Sequence, residues 1–586
     1  MHLNPFAIAT LTDRYMAPQD NTVYDVFTRS IESYGSDTGR KERLHSYVQR
    51  NWFVPSTPVL ANAGTSRGNP IACFLSRVDD SRTGILGHYT ESGWLASNGG
   101  GIGSYWGDVR TIGERTSHGS QSNGMLPFQS VIDRLVVAFA QGSTRRASYA
   151  GFLPVSHPEI NEFIDMRKPT GGDINRKNLN LHHGACLPDE FMQAVVADDN
   201  WCLVDPHSGV IKEEIKARAL WEHILETRSL TGEPYMVFTG NMNKYRPAIL
   251  KALGVSSDTT NLCTEITVAT KMPNGDPATG VCCLGSLNLD KWDEFVDELD
   301  QVVEDCLWYL WHVLDDFISS TLKGAELAQK NAAYYRDVGL GTLGFHSYLQ
   351  QKRIPFCSAM AVSINHKVFR ALRGAIFEAN QALVGELGEC RASYDARFTA
   401  PEIHNTRLAF THTTAIAPNA STSIFADASP GIEPWTANGF IRKTASGTYI
   451  EKNKYLQMVL QGHGQDNEEV WTDIIVNHGS VQHLDFLNEY EREVFLTAYE
   501  MDQLWIIQHA ADRQPMIDQA QSVNLYFPPK TDRRIFNRVH IAAWQKGLKT
   551  LYYAKGLAAH KATTGRVVHE IKQQEVEDTE CLACAN

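Results

Sequence analysis

The chain has 586 residues and 43% hydrophobic content, which is globular composition and allows one very large domain with appendages or two to four smaller ones. A formal net charge of -13 and a pI of about 5.9 exclude non-specific binding of duplex nucleic acid, but not a small anionic ligand held in a local pocket. No window approaches the ~18 uninterrupted apolar residues of a membrane span, and the N-terminus MHLNPFAIATLTDRY has no basic leader and meets Asp13 and Arg14 early, so the expected location is the cytoplasm.

Residues 1–50 read as a short helical region, with VYDVFTRSIESY carrying apolar residues at helical spacing. From NWFVPSTPVLANAG onward, short apolar runs and Gly-rich turns alternate with amphipathic helices such as 300–318 and NEFIDMRKP, the latter ended by Pro169. That alternation, continued by GVCCLGSLNL and TTAIAP, is an α/β signature over residues 51–560. Residues 561–586 form a polar tail expected to be disordered.

Eleven scattered cysteines in a reducing compartment do not make a disulfide scaffold, so the interest lies in those that are not packing residues. Cys73 in NPIACFLS follows the loop PSTPVLANAGTSRGNP. SNGGGIGSYWGDVR (97–110) lacks the order of a dinucleotide fingerprint and reads better as a place where backbone approaches a ligand or another strand. NLCTEI (261–266) offers an amide at Asn261, a thiol at Cys263 and a carboxylate at Glu265; an extended chain would place all three on one face. Such a trio suits hydrogen-abstraction or nucleophilic chemistry, against the bland alternative of a buried structural cysteine. Cys282 and Cys283 are adjacent on an expected strand and point to opposite faces, so at most one shares a site with Cys263. PNASTSIF (418–425) gathers helix-capping side chains and could cradle a phosphate without Lys or Arg, or could be a plain cap. Tyr552 and Tyr553 are adjacent in LKTLYYAKG, and the chain ends in DTECLACAN, whose Cys581 and Cys584 are too few for a zinc tetrahedron.

The order of these elements resembles the large catalytic subunit of class I ribonucleotide reductase: PSTPVLANAG, Cys73, SNGGGIG, NLCTEI, VCCLGSLN, GLGTLGF, PNASTS with SPGIEP, LYY and a terminal Cys pair. The resemblance implies a ten-stranded α/β barrel, two antiparallel halves of five parallel strands, with NLCTEI on a central finger loop. It implies Cys263 as the thiyl radical that takes the 3′ hydrogen of a ribonucleotide, Glu265 as the base for the 3′-OH, and Asn261 bonded to the ribose hydroxyls. Cys73 and Cys282 would be the reducing dithiol; Cys282 rather than Cys283 matches the family pattern CxLGSLN. Thr57, Ala72, Gly101 and the turn Asn419, Ala420, Ser421, Thr422, Ser423 correspond to substrate-contacting positions, with the turn on the diphosphate.

By the same resemblance, Tyr553 and Tyr552 relay a radical from a separate small subunit, and Cys581 and Cys584 carry electrons from a thioredoxin- or glutaredoxin-like reductant. No cofactor or metal is expected on this chain; the radical or metal cofactor belongs to the small subunit. Asp80, Ser81 and Arg110, with Gln141 and Arg145 of QGSTRRAS, resemble a specificity site for dNTP or ATP effectors at a homodimer interface. With only residues 1–50 before the barrel, no N-terminal ATP-cone is expected. The alternatives are an adenosylcobalamin-dependent class II enzyme, which does not need the tyrosine pair, and a catalytically silent nucleotide-binding homologue.

Overall fold

A computed structural model describes residues 3–139, 147–444 and 447–556. Three helices, Pro5–Arg14, Val23–Glu32 and Thr38–Gln49, lead the chain. Each start is fixed by a polar cap: Asn4 accepts from the Ala7 N–H, Thr22 and Asp25 form a capping box, and Asp37 accepts from the Arg40 N–H. Their apolar faces (Leu11, Phe27, Ile31, Leu44) join the main core instead of forming one of their own. Arg43 and Tyr47 anchor the third helix on the buried carboxylate of Asp305 at 2.7–3.0 Å.

The largest sheet runs Thr550–Leu551, Tyr235–Phe238, His182–Leu187, Ser148–Pro154, Gly101–Tyr105, Cys73–Arg77 and Gly280–Val281. Its five inner strands are parallel, and both outer strands pair antiparallel to them. Helices such as Arg82–Ser97 and Leu126–Phe139 supply the crossovers that parallel neighbours require. A second sheet pairs Cys283–Asn288 in parallel with Val338–Leu343, joined by the long helix Leu299–Ser319, with Phe53–Pro55 antiparallel at the edge.

The two sheets belong to one curled wall. Only Cys282 separates Gly280–Val281 from Cys283–Asn288, so two consecutive strands link the sheets. Beyond Val338–Leu343 the backbone of residues 412–416 continues the wall, with N–H groups of Val338 and Leu340 donating to His412 and Thr413. Ile416 then bridges in parallel to Gln521, and Leu525–Phe527 pairs with Ala554–Gly556, which follows Thr550–Leu551 of the first sheet. The result is a mixed α/β barrel; its regular ladders are divided among separate sheets, so ten strands are not counted in one continuous ladder.

Local structure departs from the sequence reading in three places. The helix in NEFIDMRKP is short, Ile160–Ile164, and stops before Pro169 is reached. GVCCLGSLNL is two strands broken at Cys282. Residues 261–266 are not extended: Thr264 has φ +68° and its N–H returns to the Asn261 carbonyl at 3.2 Å, closing a turn. A segment inside the barrel has no neighbouring strand to ladder with, so the extended form has nothing to stabilise it.

Candidate active site

One cleft in the barrel is lined by Thr57, Ala72, Cys73, Cys263, Glu265, Cys282, Asn419, Ala420, Ser421 and Thr422. Residues up to 365 positions apart in sequence meet there because strand ends and the finger loop converge on it.

The two redox candidates meet through sheet register. Phe74 pairs with Val281 and Leu75 with Gly280, antiparallel; one further step puts Cys73 opposite Cys282. Cys73 is half-buried and Cys282 buried. Burial pushes the Cys282 thiol well above its usual range, while a hydrogen bond from Gln519 pulls the other way. The pleat turns Cys283 to the opposite face, into the main hydrophobic core and out of the cleft.

The finger loop is held by its own turn and by the wall. The Asn261 Oδ1 accepts from the Ile266 N–H at 3.1 Å, while its Nδ2 is buried with no partner among the described residues. Ser522 lies 2.5 Å from the Cys263 carbonyl oxygen and 3.1 Å from Oε2 of Glu265, and the Ala520 N–H donates to the Glu265 carbonyl. The loop also rests on Gly103: a Cβ there would stand 2.0 Å from the Thr260 oxygen. The Gly-rich run at 97–110 thus lets one backbone approach another.

Behind Cys263 stand the tyrosines. Tyr552 donates to Sγ of Cys263 at 3.7 Å, and the Tyr552 and Tyr553 rings are 4.3 Å apart. Tyr235, which no local sequence signal marks, packs 4.8 Å from Tyr552 and 5.0 Å from Tyr553. His182 stacks on Tyr235 and comes within 3.4 Å of the Tyr553 hydroxyl.

On the other side of the cleft, Asn419 adopts φ +56° and donates to Ser286 Oγ and Thr422 Oγ1 at 3.0–3.1 Å; its Oδ1 is buried without a partner among the described residues. Ser421, Thr422 and Ser423 are buried, and among the described residues no Lys or Arg lines the cleft. Ser423 does not line it; its hydroxyl returns to the Ala420 carbonyl at 3.2 Å. Gly101 does not line it either, but pairs with Cys73 and donates its N–H to the Ala72 carbonyl at 2.7 Å. Thr57 opens the helix Thr57–Asn62 and shares a 3.1 Å hydrogen bond with Tyr15.

Away from the cleft, Arg110 is ion-paired with Asp80 at 2.9 Å, and Ser81 caps the helix Arg82–Ser97. Gln141, Arg145, Cys581 and Cys584 lie outside the described residues. Among the described residues no group of three His, Cys, Asp or Glu side chains could hold a metal ion, and no helix is long and apolar enough to cross a membrane. Gln519 and Ser522 were invisible from sequence, since each reaches its partner across more than 230 positions.

A curled α/β barrel whose central cleft collects a finger-loop thiol and a cross-strand thiol pair belongs with the radical-type nucleotide reductases. The profile described as "Ribonucleotide reductase, barrel domain" matches residues 71–554, and the chain belongs to that family. A Frog virus 3 (isolate Goorha) protein that carries the provisional name ribonucleoside-diphosphate reductase large subunit is 39% identical over 93% of this chain and 92% of its own. The ribonucleoside-diphosphate reductase large subunit of Invertebrate iridescent virus 3 is 36% identical, covering 98% and 97%. The solved Actinobacillus ureae class Id ribonucleotide reductase alpha subunit superposes with a TM-score of 0.81 at 30% identity, over 94% of this chain and 97% of that one. The chain is thus an oxidoreductase that reduces ribonucleotides, and relatives named as large subunits favour class I over the adenosylcobalamin alternative.

Proposed function

We propose that this chain is the catalytic subunit of a two-protein enzyme that reduces ribonucleoside diphosphates, with the radical or metal cofactor on a separate small subunit. The observation that carries the reading is the meeting of Cys73, Cys263, Cys282 and Glu265 in one cleft, with Tyr552 against the Cys263 sulfur. The radical arrives through Tyr553 and Tyr552 and leaves Cys263 as a thiyl, which takes the 3′ hydrogen of the ribose. Glu265 accepts the 3′-OH proton while the neighbouring hydroxyl takes a proton from the Cys73–Cys282 dithiol and leaves as water. The other thiol hydrogen goes to C2′, Glu265 gives its proton back, and Cys263 returns its hydrogen to C3′ and is again a thiyl. Cys73 and Cys282 supply two electrons and end as a disulfide, which their cross-strand placement allows.

Two groups fit a sugar diphosphate. The unpartnered Nδ2 of Asn261 is a buried donor beside Cys263, suited to a ribose hydroxyl. The turn from Asn419 to Ser423 offers hydroxyls and backbone without a cation, as expected for a diphosphate site on a helix start. The terminal Cys581 and Cys584 carry electrons from a thioredoxin-type reductant, and Asp80, Ser81 and Arg110 hold a deoxynucleotide or ATP effector at a homodimer interface.

The test is Cys263→Ser assayed with the small subunit. Product formation must vanish while nucleotide binding stays within about twofold of the parent; turnover in that variant removes the mechanism. Cys581→Ser with Cys584→Ser should spare the first turnover and stop later ones driven by a protein reductant.

A further inference from the structure

Gln519 is fully buried on the barrel wall, and every polar atom of its side chain is committed. Its Oε1 accepts from the Thr267 N–H at 3.2 Å, and its Nε2 donates to the Val338 carbonyl at 3.1 Å and to Sγ of Cys282 at 3.4 Å. These partners fix the amide's orientation. A flipped amide would set its oxygen against the Val338 carbonyl and its NH2 against the Thr267 N–H, losing both bonds. A donor therefore faces the Cys282 sulfur. Gly339 also packs close to that sulfur: an added Cβ there would come within 3.1 Å of it, and within 2.5 Å of the Leu284 side chain.

We propose that Gln519 is a positioning residue for the redox pair: it makes Cys282 the leaving sulfur when the Cys73–Cys282 disulfide is re-reduced. The inference rests on the proposed dithiol role of those two cysteines. Re-reduction begins when an incoming thiolate attacks one sulfur of the disulfide along the S–S axis and the other sulfur departs with the bonding electron pair. Cys73 is half-buried at the cleft, whereas Cys282 is buried, so the attack falls on Cys73. A mixed disulfide forms between the reductant and Cys73, and Cys282 leaves as a thiolate. That anion appears in a buried site that otherwise disfavours it, and the Gln519 N–H is the donor that meets it. A second thiolate of the reductant then attacks its own sulfur in the mixed disulfide. Cys73 is released as a thiolate, and both cysteines take protons from solvent.

The test uses the full chain carrying Cys581→Ser and Cys584→Ser, so that only an added reductant acts. Diamide closes the disulfide, peptide mapping verifies the Cys73–Cys282 link, and dithiothreitol reduction is followed by quenching with an alkylating agent. Gln519→Met keeps the length without the donor, and Gln519→Glu keeps the shape but presents an acceptor to the sulfur. Both should slow reduction about tenfold or more, the weight of one hydrogen bond to a charged group. Alkylation of Cys282 in the reduced chain should move to higher pH, while that of Cys73 keeps its profile; loss of fold alone would move both. Reduction at the parent rate in either folded variant overturns the proposal. Failure of the parent chain to form the Cys73–Cys282 link overturns the dithiol reading itself, and this inference with it. If neither variant folds, the parent chain still decides: glutathione must be trapped on Cys73, and a mixed disulfide on Cys282 refutes the assignment.

Discussion

The phenol of Tyr552 donates to the Cys263 sulfur at 3.7 Å, and both groups are buried in one small cluster with Tyr235 and Tyr105. In the relay proposed above, a hydrogen atom would cross that contact. Tyr552→Phe keeps the ring packing and deletes only the atom that makes the contact. Turnover with the small subunit should fall by at least about a hundredfold, the low end for a lost proton-transfer group. Thermal midpoint and substrate affinity should stay near the parent values; residual turnover above a tenth of the parent would show that the radical reaches Cys263 by another route.

Asn261 has its carbonyl oxygen bound inside the finger loop and its NH2 buried without a protein partner. Replacing it with Asp retains the acceptor for Ile266 and replaces the idle donor with another acceptor. The affinity for a ribonucleotide should drop roughly 10- to 100-fold, matching the cost of a missing hydrogen bond in a closed site. A deoxynucleotide lacking the hydroxyl that Asn261 is proposed to bind should lose much less. Equal losses for the two ligands would show that Asn261 only shapes the loop.

Gly103 carries the finger loop on its bare Cα, with Thr260 O 2.0 Å and the Asn261 Cα 3.0 Å from where a Cβ would sit. Those contacts are backbone, so no side chain can rotate away. Gly103→Ala should displace the loop that bears Cys263 and Glu265. The stability cost is that of overpacking, about 1–3 kcal/mol. Activity should fall much further than stability, measured by turnover beside a denaturation midpoint; a variant that keeps full turnover would mean the loop is free to move.

The order of motifs carried the resemblance that implied an α/β barrel, because each motif is local and its spacing survives in one dimension. Of the residues it pointed to, Cys73, Cys263, Glu265 and Cys282 line one cleft, whereas Gly101 and Ser423 do not. The geometry of NLCTEI was not legible. The expected extended form would have put Asn261, Cys263 and Glu265 on one face, but Thr264 at φ +68° turns the chain instead, and the loop is shaped by contacts to Gly103, Ala520 and Ser522. Gln519, Ser522 and Tyr235 escaped notice for the same reason: each is an ordinary residue locally, and it acquires its partner only when distant strands come together. The glycines were legible as close approaches without indicating what approaches them. The pleat argument limited the cleft to one of the adjacent cysteines, and the antiparallel register places Cys282 there, across from Cys73.

Lys549 is fully buried just before the strand Thr550–Leu551, and among the described residues its ammonium donates to the carbonyls of Asp518 and Tyr245, at 2.6 and 3.3 Å. Burial lowers its pKa from 10.5 to about 7, against a weaker opposing pull from the Asp518 charge. In the unfolded chain the ordinary value returns, so between pH 7 and pH 10 the unfolded state binds more protons than the folded one. Stability therefore rises with pH across that window, and the gain is lost as pH falls toward 7; below 7 both states are charged and the dependence ends. Lys549→Met removes this linkage and leaves the two carbonyls unserved at every pH. The difference in unfolding free energy between parent and variant should shift toward the parent by on the order of 2 kcal/mol from pH 7 to pH 9. Denaturant titrations at both pH values measure it. A difference that stays constant across the window would mean that Lys549 is charged throughout and that water or a rearranged carboxylate reaches it.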